Sequence, residues 1–289
     1  MYPSHEVAGL PRRISAFLRV TMKKKNYYKY KGYAHFDKRI SIGEARKNVE
    51  KPQYVATHGF YPFLHFTLKI NRYRKKEQTP KERRKPKSRE IYYAAHIDRY
   101  IYQFYAHKLN EKYNDYCKEK NLDAIAVAYR TNKQGKCNIH FAYEAFSFLR
   151  KHPGSIVITG DFEKFFDNLD HKYLKNCLQK VLKVERLSDD WFAVYKNICN
   201  FSHVDIKKIL DYNKSIGDLS LPITLRQLNH CDTAFDINNL RKRHRDWIFP
   251  KKEDRKGYGI PQGSPISGVL ANVYMIEFDE IINEICQKN

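Results

Sequence analysis

The sequence predicts an α+β fold, because it contains several stretches with helical spacing and a few short apolar runs that suit strands. Residues 91–118 repeat apolar side chains at steps of three and four residues, without Pro or Gly. The short runs "AIAVAYR" at 124–130 and "IVIT" at 156–159 are the predicted strands. With 289 residues, the chain is long enough to bury a sizeable core.

Further segments with helical spacing complete the predicted elements. The run "NIHFAYEAFSFLRKH" follows a polar turn and is broken by Gly154. The run "HKYLKNCLQKVL" collects its apolar side chains on one face, and Asp170 is its predicted N-cap. A helix is also predicted in "DDWFAVYKNICNF", where the spacing favours Ser188 or Asp189 as a cap over a catalytic role for Asp189 and Asp190.

The last predicted helix follows a Gly-rich turn near the C-terminus. Ser264 is its predicted cap, and Pro265 occupies the first helical position, where proline is tolerated. Apolar residues then recur at helical spacing as far as Ile285, which predicts a buried face along the whole helix.

The charge balance points to a polyanionic partner. The chain carries 54 Lys and Arg against 32 Asp and Glu, a formal charge of +22, and nucleic acid is the first candidate. Two basic stretches, 71–90 and 241–256, are the expected contacts, although a solubilising loop and a core tryptophan are the competing interpretations. The residues predicted to bind nucleic acid are Arg83, Arg84, Lys85, Lys87, Arg89, Arg241, Arg243, Arg245 and Trp247.

Several function classes are disfavoured. No stretch approaches the roughly 18 apolar residues of a membrane-spanning helix, and the N-terminus lacks the apolar core of a secretory signal. Six cysteines are scattered without a CxxC pair, which fits a reducing compartment. A cytoplasmic protein without a membrane partner is therefore expected.

Asp161 carries the first indication of chemistry. It leaves the predicted strand 156–159 after Gly160, and a carboxylate delivered in this way suits Mg²⁺, which prefers oxygen ligands and takes few of them from protein. Two ions about 3.5–4 Å apart would bind the attacking and leaving oxygens of an in-line displacement. One aspartate cannot hold both ions, so a further carboxylate must come from elsewhere.

Two motifs resemble bacterial reverse transcriptases. "GDFEKFFDNLDHKYL" at 160–174 is similar to their first palm motif, and "GIPQGSPISGVLANVYM" at 259–275 is similar to their second. Upstream, the runs "KSREIYYAAHIDRYIYQFYAHKLNEKY" and "AVAYRTNKQGKCNIHFAYEAF" resemble the fingers motifs of the same enzymes. Within this family, the motif sequences are most similar to those of the abortive-infection and defence-associated group. The resemblance covers about residues 55–289.

The resemblance implies a right-hand polymerase fold with fingers and a partial palm, in which an antiparallel palm sheet packs on helices. Residues 1–54 would be an N-terminal extension, 55–150 the fingers and 151–289 the palm, with an insertion at 185–256. The implied activity is RNA-directed DNA polymerisation in antiphage defence. The implied partners are an RNA template and primer, dNTPs and a structured non-coding RNA, and oligomers are compatible with it.

The resemblance also implies roles for individual residues. Asp161 and the main-chain carbonyl of Phe162 would bind two Mg²⁺ ions, with Mn²⁺ as the alternative metal. Phe166 would be the gate that excludes a 2′-hydroxyl, because a flat apolar ring leaves it neither room nor a hydrogen-bond partner, while Phe165 would pack in the core. The residues expected to bind the nucleotide are Phe166, Gln262, Gly263, Arg130, Lys133 and Lys136.

The sequence departs from the family pattern in two places. The family often has Ser-Pro where this chain has Ser267-Gly268, and no Asp-Asp hairpin motif follows the second palm motif. We therefore expect these residues to be the N-terminal part of a longer protein and to be inactive alone. Two alternatives stay open: an RNA-binding scaffold with a polymerase-like fold and an incomplete metal site, and template-independent nucleotide addition.

Overall fold

The computed structural model describes residues 28–70, 87–133, 135–250 and 256–288. Within these ranges the chain combines many helices with one small sheet of three strands, which confirms the α+β class. None of the helices in the described ranges is both long enough and apolar enough to cross a membrane.

The strands are β1 (Phe63–Ile70), β2 (Lys87–Tyr93) and β3 (His203–Asp205). The helices in the first half of the chain are α1 (Ile42–Val49), α2 (Pro52–Thr57), α3 (His96–Glu119) and α4 (Asn138–Lys151). Those in the second half are α5 (His171–Leu182), α6 (Asp189–Cys199), α7 (Ile206–Ile216), α8 (Ile237–Arg243), α9 (Ser267–Tyr274) and α10 (Ile276–Lys288).

The sheet does not include the strand predicted at 156–159. Its order is β2-β1-β3, with β1 antiparallel to β2 from Leu64 opposite Tyr93. Strand β3 comes from the predicted insertion and runs parallel to β1, with Phe63 opposite His203. In the described residues, the sheet is thus formed by the predicted fingers and insertion, which corrects the expectation of an antiparallel sheet in the palm.

Two hydrophobic cores hold these elements. The first surrounds α3, whose Tyr100, Ile101, Tyr105 and Leu109 are fully buried and pack with residues of α1, α5, α6 and α9. The second joins one face of the sheet, at Leu64 and Val204, to Phe235 and Leu240 of the insertion, and it includes Ala34 and Phe36 of the predicted N-terminal extension. The insertion and residues 28–49 are therefore integral to the packed structure.

The predicted helices are largely confirmed, with shifted ends. Helix α3 begins at His96, because residues 91–93 complete β2. Asp170 caps α5 as predicted, since its Oδ1 accepts a hydrogen bond of 2.7 Å from the Tyr173 N–H. Helix α6 begins at Asp189 after the N-cap residue Ser188, and the buried Asp190 carboxylate accepts a hydrogen bond of 2.6 Å from Tyr105, which gives Asp190 a structural role.

The C-terminal helix differs from its prediction. It begins at Ser267 rather than beside Ser264, and it is divided after Tyr274 into α9 and α10. Its apolar face is buried as far as Ile276, but Phe278, Ile281 and Ile285 are about half exposed. Helical spacing identified the helix, whereas burial depends on neighbours, which the described residues provide to α9 and to the first residue of α10.

Both predicted strands are wrong. Residues 155–162 have no regular secondary structure, and residues 124–130 form turns. A strand needs a neighbour to pair its backbone N–H and C=O groups, and no described segment pairs with 156–159. In 124–130 the turns are closed by local hydrogen bonds, such as that from Ala126 N–H to Leu122 C=O. The predicted basic arm at 71–90 falls mostly on 71–86, outside the described residues, and its end belongs to β2.

Candidate active site

The two palm motifs are joined by backbone hydrogen bonds. Ile260 N–H donates to Phe166 C=O at 2.8 Å, and Gly259 N–H donates to Leu169 C=O at 2.7 Å. A short antiparallel bridge between Asp170 and Tyr258 extends this pairing. Residues that are almost a hundred positions apart in sequence therefore form one unit. We call residues 257–274 the turn wall.

The turn wall is also fixed to the predicted fingers. Tyr92 N–H donates to Gln262 C=O at 2.9 Å, which ties β2 to the turn. Gly263 has φ +117°, and a Cβ there would lie only 2.5 Å from Tyr92 O, so the close approach requires glycine. Ser267 Oγ donates to Pro261 C=O at 2.7 Å and closes the turn from inside.

These contacts form a cleft of about 750 Å³ between β2, the first palm motif and the turn wall. The cleft is lined by Ser88, Arg89, Glu90, Tyr92, residues 161–167 and Gln262. Five predicted functional residues thus lie around one space: Asp161, Phe162, Phe166, Gln262 and Arg89. Gly263 supports the wall directly beside Gln262.

The two adjacent phenylalanines have different surroundings. The Phe165 ring lies between Phe162, at 5.5 Å, and Tyr274 of α9, at 6.0 Å between ring centroids. Phe166 makes an edge contact with Phe165 at 5.9 Å, and its carbonyl is held by Ile260. Both rings are half-buried, pack against the main core and line the cleft, so the division into a core ring and a sugar gate stays a prediction.

Asp161 is exposed, and its carboxylate makes no hydrogen bond or ion pair with any other described residue. We call residues 155–164, which include it, the carboxylate segment. Asp161 and the Phe162 carbonyl are oxygen donors of the kind that Mg²⁺ prefers. However, no group of three or more His, Cys, Asp or Glu side chains in the described residues is arranged to hold a metal. The donor set present therefore does not fit two ions.

The three basic residues predicted to bind the triphosphate lie elsewhere. The Arg130 side chain is fully buried and donates to Asn114 Oδ1 at 2.9 Å, to Ala126 C=O at 3.0 Å and to Asp123 Oδ1 at 2.5 Å. Lys133 donates to Asp123 C=O at 2.7 Å, and Lys136 pairs with Glu144. None of the three lines the cleft, because the turns at 124–133 direct Arg130 inwards.

The exposed arginine that does line the cleft is Arg89. It lies in β2 near Tyr92 and forms no ion pair with the other described residues, so its guanidinium is available to a phosphate. The sequence assigned Arg89 only to general nucleic-acid binding. Arg89 shares a cleft with Asp161 because β2 pairs with the turn wall, a long-range contact that no local sequence pattern indicates.

The second basic stretch divides in the structure. Arg241, Arg243 and Arg245 are exposed, and Arg241 and Arg245 line a separate cleft of about 540 Å³. Trp247 instead stacks on His244 at 4.0 Å and packs against the second core, which favours the core interpretation over base stacking. Arg83, Arg84 and Lys85 lie outside the described residues, and Lys87 begins β2.

Comparison with known proteins adds no identification. The chain matches no protein-family model, and a search of curated proteins finds no match either.

Proposed function

We propose that the protein is an RNA-directed DNA polymerase whose nucleotide site is the cleft around Asp161. The observation that supports this proposal most is the convergence of Asp161, Phe166, Gln262 and Arg89 on one cleft of about 750 Å³. These residues come from three separate parts of the chain: β2, the first palm motif and the turn wall.

In the proposed reaction, the 3′-hydroxyl of a primer attacks the α-phosphorus of a dNTP, and pyrophosphate leaves. Arg89 binds the triphosphate through guanidinium hydrogen bonds, a role that Arg130 cannot take because its side chain is fully buried and does not line the cleft. Phe166 lies against the sugar and leaves no room for a 2′-hydroxyl. Gln262 lies beside the nascent base pair, on the turn that Gly263 lets pack closely against β2.

A second candidate function is an RNA-binding scaffold with a polymerase-like fold. The specific observation in its favour is the donor set around Asp161, which does not fit two metal ions within the described residues. The charge of +22 serves this candidate equally well, since it needs only phosphate contacts. The two candidates differ in one respect: only the polymerase incorporates nucleotides.

The test measures incorporation of labelled dNTPs on an RNA template with an annealed primer, in Mg²⁺ buffer. The protein is produced from its whole reading frame. We expect template-dependent extension, and a loss of about 1,000-fold or more in Asp161→Asn, because the carboxylate is removed at nearly constant shape. Glu163→Gln is the matched control, since Glu163 lines the same cleft and has no assigned role.

Full activity of Asp161→Asn would refute the assignment of Asp161. Binding of the template without any extension by the wild-type protein would favour the scaffold. Extension that continues when the template is omitted would instead identify template-independent addition.

A further inference from the structure

A second cleft, of about 330 Å³, borders the same turn wall. Gln262 lines the active-site cleft, whereas Pro265, Gly268 and Val269, a few residues later, line this second cleft. Its other side is formed by Lys29, by Gln103 and His107 of α3, and by Tyr129. The two clefts therefore lie on the same turn wall, a few residues apart in sequence.

Tyr129 is held in an unusual conformation in this second cleft. Its side chain is 70% exposed, although its backbone has φ +54°, in the left-handed region that bulky residues rarely adopt. The conformation is fixed by a hydrogen bond of 2.7 Å from Asn110 Nδ2 to Tyr129 C=O, and by the buried side chain of the next residue, Arg130. Strain of this kind persists where the surroundings enforce it, and it concentrates at functional sites.

The ring of Tyr129 lies against Gly268. A Cβ at position 268 would be 3.2 Å from the Tyr129 ring, so glycine lets the ring settle on the start of α9. This contact accounts for Ser267-Gly268 at a position where the resembled family often has Ser-Pro. The rest of the ring is open to the cleft and to solvent.

The chemistry of this cleft suits a single-stranded nucleic acid. An exposed aromatic ring stacks on any unpaired base, and the Lys29 ammonium beside it suits the adjoining phosphate. The amide of Gln103 adds hydrogen-bonding capacity at the same wall. Proteins that bind single strands without sequence preference combine such rings with cations.

We propose that Tyr129 stacks on an unpaired base of the template strand just before that strand reaches the active-site cleft. This inference rests on the proposed polymerase function, because it takes the strand at Tyr129 to be the template. Tyr129 is then a positioning residue: it holds the template in register without touching the reacting atoms.

The test uses a primer–template duplex with a single-stranded RNA overhang that carries 2-aminopurine, a fluorescent adenine analogue, at each overhang position in turn. Affinity is measured by fluorescence anisotropy, and stacking by quenching of 2-aminopurine. We expect Tyr129→Leu to bind the overhang substrate about 5- to 100-fold more weakly and to lose the quenching at one position. Tyr129→Phe keeps the ring and should retain both signals.

Tyr143→Leu is the matched control, because Tyr143 is equally exposed, at 71%, but lies on α4 away from this cleft. A blunt duplex should bind equally to all variants. The inference is overturned if Tyr129→Leu retains the affinity and the quenching, or if Tyr143→Leu loses as much. This failure is distinguishable from failure of the polymerase proposal, since the binding signals do not require extension and Asp161→Asn does not alter the Tyr129 cleft.

Discussion

The turn wall and the carboxylate segment border the same cleft, yet only the turn wall is packed. Leu270 and Val273 of the turn wall are buried, and its backbone is bonded to β2 and to residues 166–171. In the carboxylate segment, Ile156 and Ile158 are more than 90% exposed, although their sequence is just as apolar. An apolar run therefore becomes core only where other elements supply a surface and hydrogen-bond partners.

The largest expected effect compares one aliphatic residue from each region. Leu270→Ala should lower the free energy of unfolding by about 3 kcal/mol, because it leaves a cavity where α9 packs on α3 and α5. Ile158→Ala should change it by less than about 0.5 kcal/mol, since the side chain is already in water. Urea denaturation followed by circular dichroism measures both. An Ile158→Ala cost similar to that of Leu270→Ala would mean that the carboxylate segment is packed, against this account.

Substitution of one glycine in each region, Gly263 in the turn wall and Gly160 in the carboxylate segment, compares how tightly the two backbones are packed. Gly263→Ala should cost about 2 kcal/mol, because φ is +117° and the added Cβ would overlap Tyr92 O. Gly160→Ala has no atom within 4 Å of the new Cβ and should change stability by less than about 0.5 kcal/mol. Thermal unfolding of the two variants is the measurement, and equal melting temperatures would contradict the anchoring of the turn wall to β2.

Substitution of Arg130 should affect mainly stability, whereas substitution of Arg89 should affect mainly dNTP binding. Arg130→Met should cost about 1.5 kcal/mol, because the side chain loses its hydrogen bonds to Asn114, Ala126 and Asp123. Arg89→Met should leave stability within about 0.5 kcal/mol but weaken dNTP binding. Denaturation and dNTP titration of both variants test this, and weakened dNTP binding in Arg130→Met alone would restore the original assignment.

The loss of unfolding free energy caused by Arg130→Met should also depend on pH. Burial raises the pKa of Asp123, but the hydrogen bond and charge of Arg130 outweigh it and hold that pKa below its usual value. A carboxyl with a depressed folded pKa stabilises the fold above its unfolded pKa of about 3.9, and this contribution is lost as the pH falls through the folded pKa. The free energies of unfolding of the wild type and of Arg130→Met should therefore become more similar below about pH 4.

Local features of the fold could be predicted from the sequence. Helical spacing located α3, α5 and α6, and side-chain chemistry identified Asp170 as a cap, because these features depend on residues a few positions apart. The strands predicted at 124–130 and 156–159 are absent from the structure, because a strand forms only where a distant segment pairs with it. The motif residues Asp161, Phe166 and Gln262 were found from sequence, and they do share a cleft.

Features that depend on long-range pairing were missed. The parallel pairing of β3 with β1 makes the insertion part of the sheet, and the three residues 203–205 carry no sequence pattern that predicts this pairing. The family resemblance implied a triphosphate contact for Arg130, but its bonds to Asn114 and Asp123 hold the side chain in the interior. Arg89 reaches the cleft only through the bond between Tyr92 and Gln262.

We propose above that the cleft between the turn wall and the carboxylate segment selects and adds deoxynucleotides. The most direct measurement is the ratio of dNTP to rNTP incorporation by the wild type, by Phe166→Ala and by Phe162→Ala, whose ring lines the same cleft. We expect Phe166→Ala to lower this ratio by about 10- to 100-fold, because the space for a 2′-hydroxyl opens, and Phe162→Ala to preserve it. An unchanged ratio in an active Phe166→Ala variant would refute the gate role of Phe166.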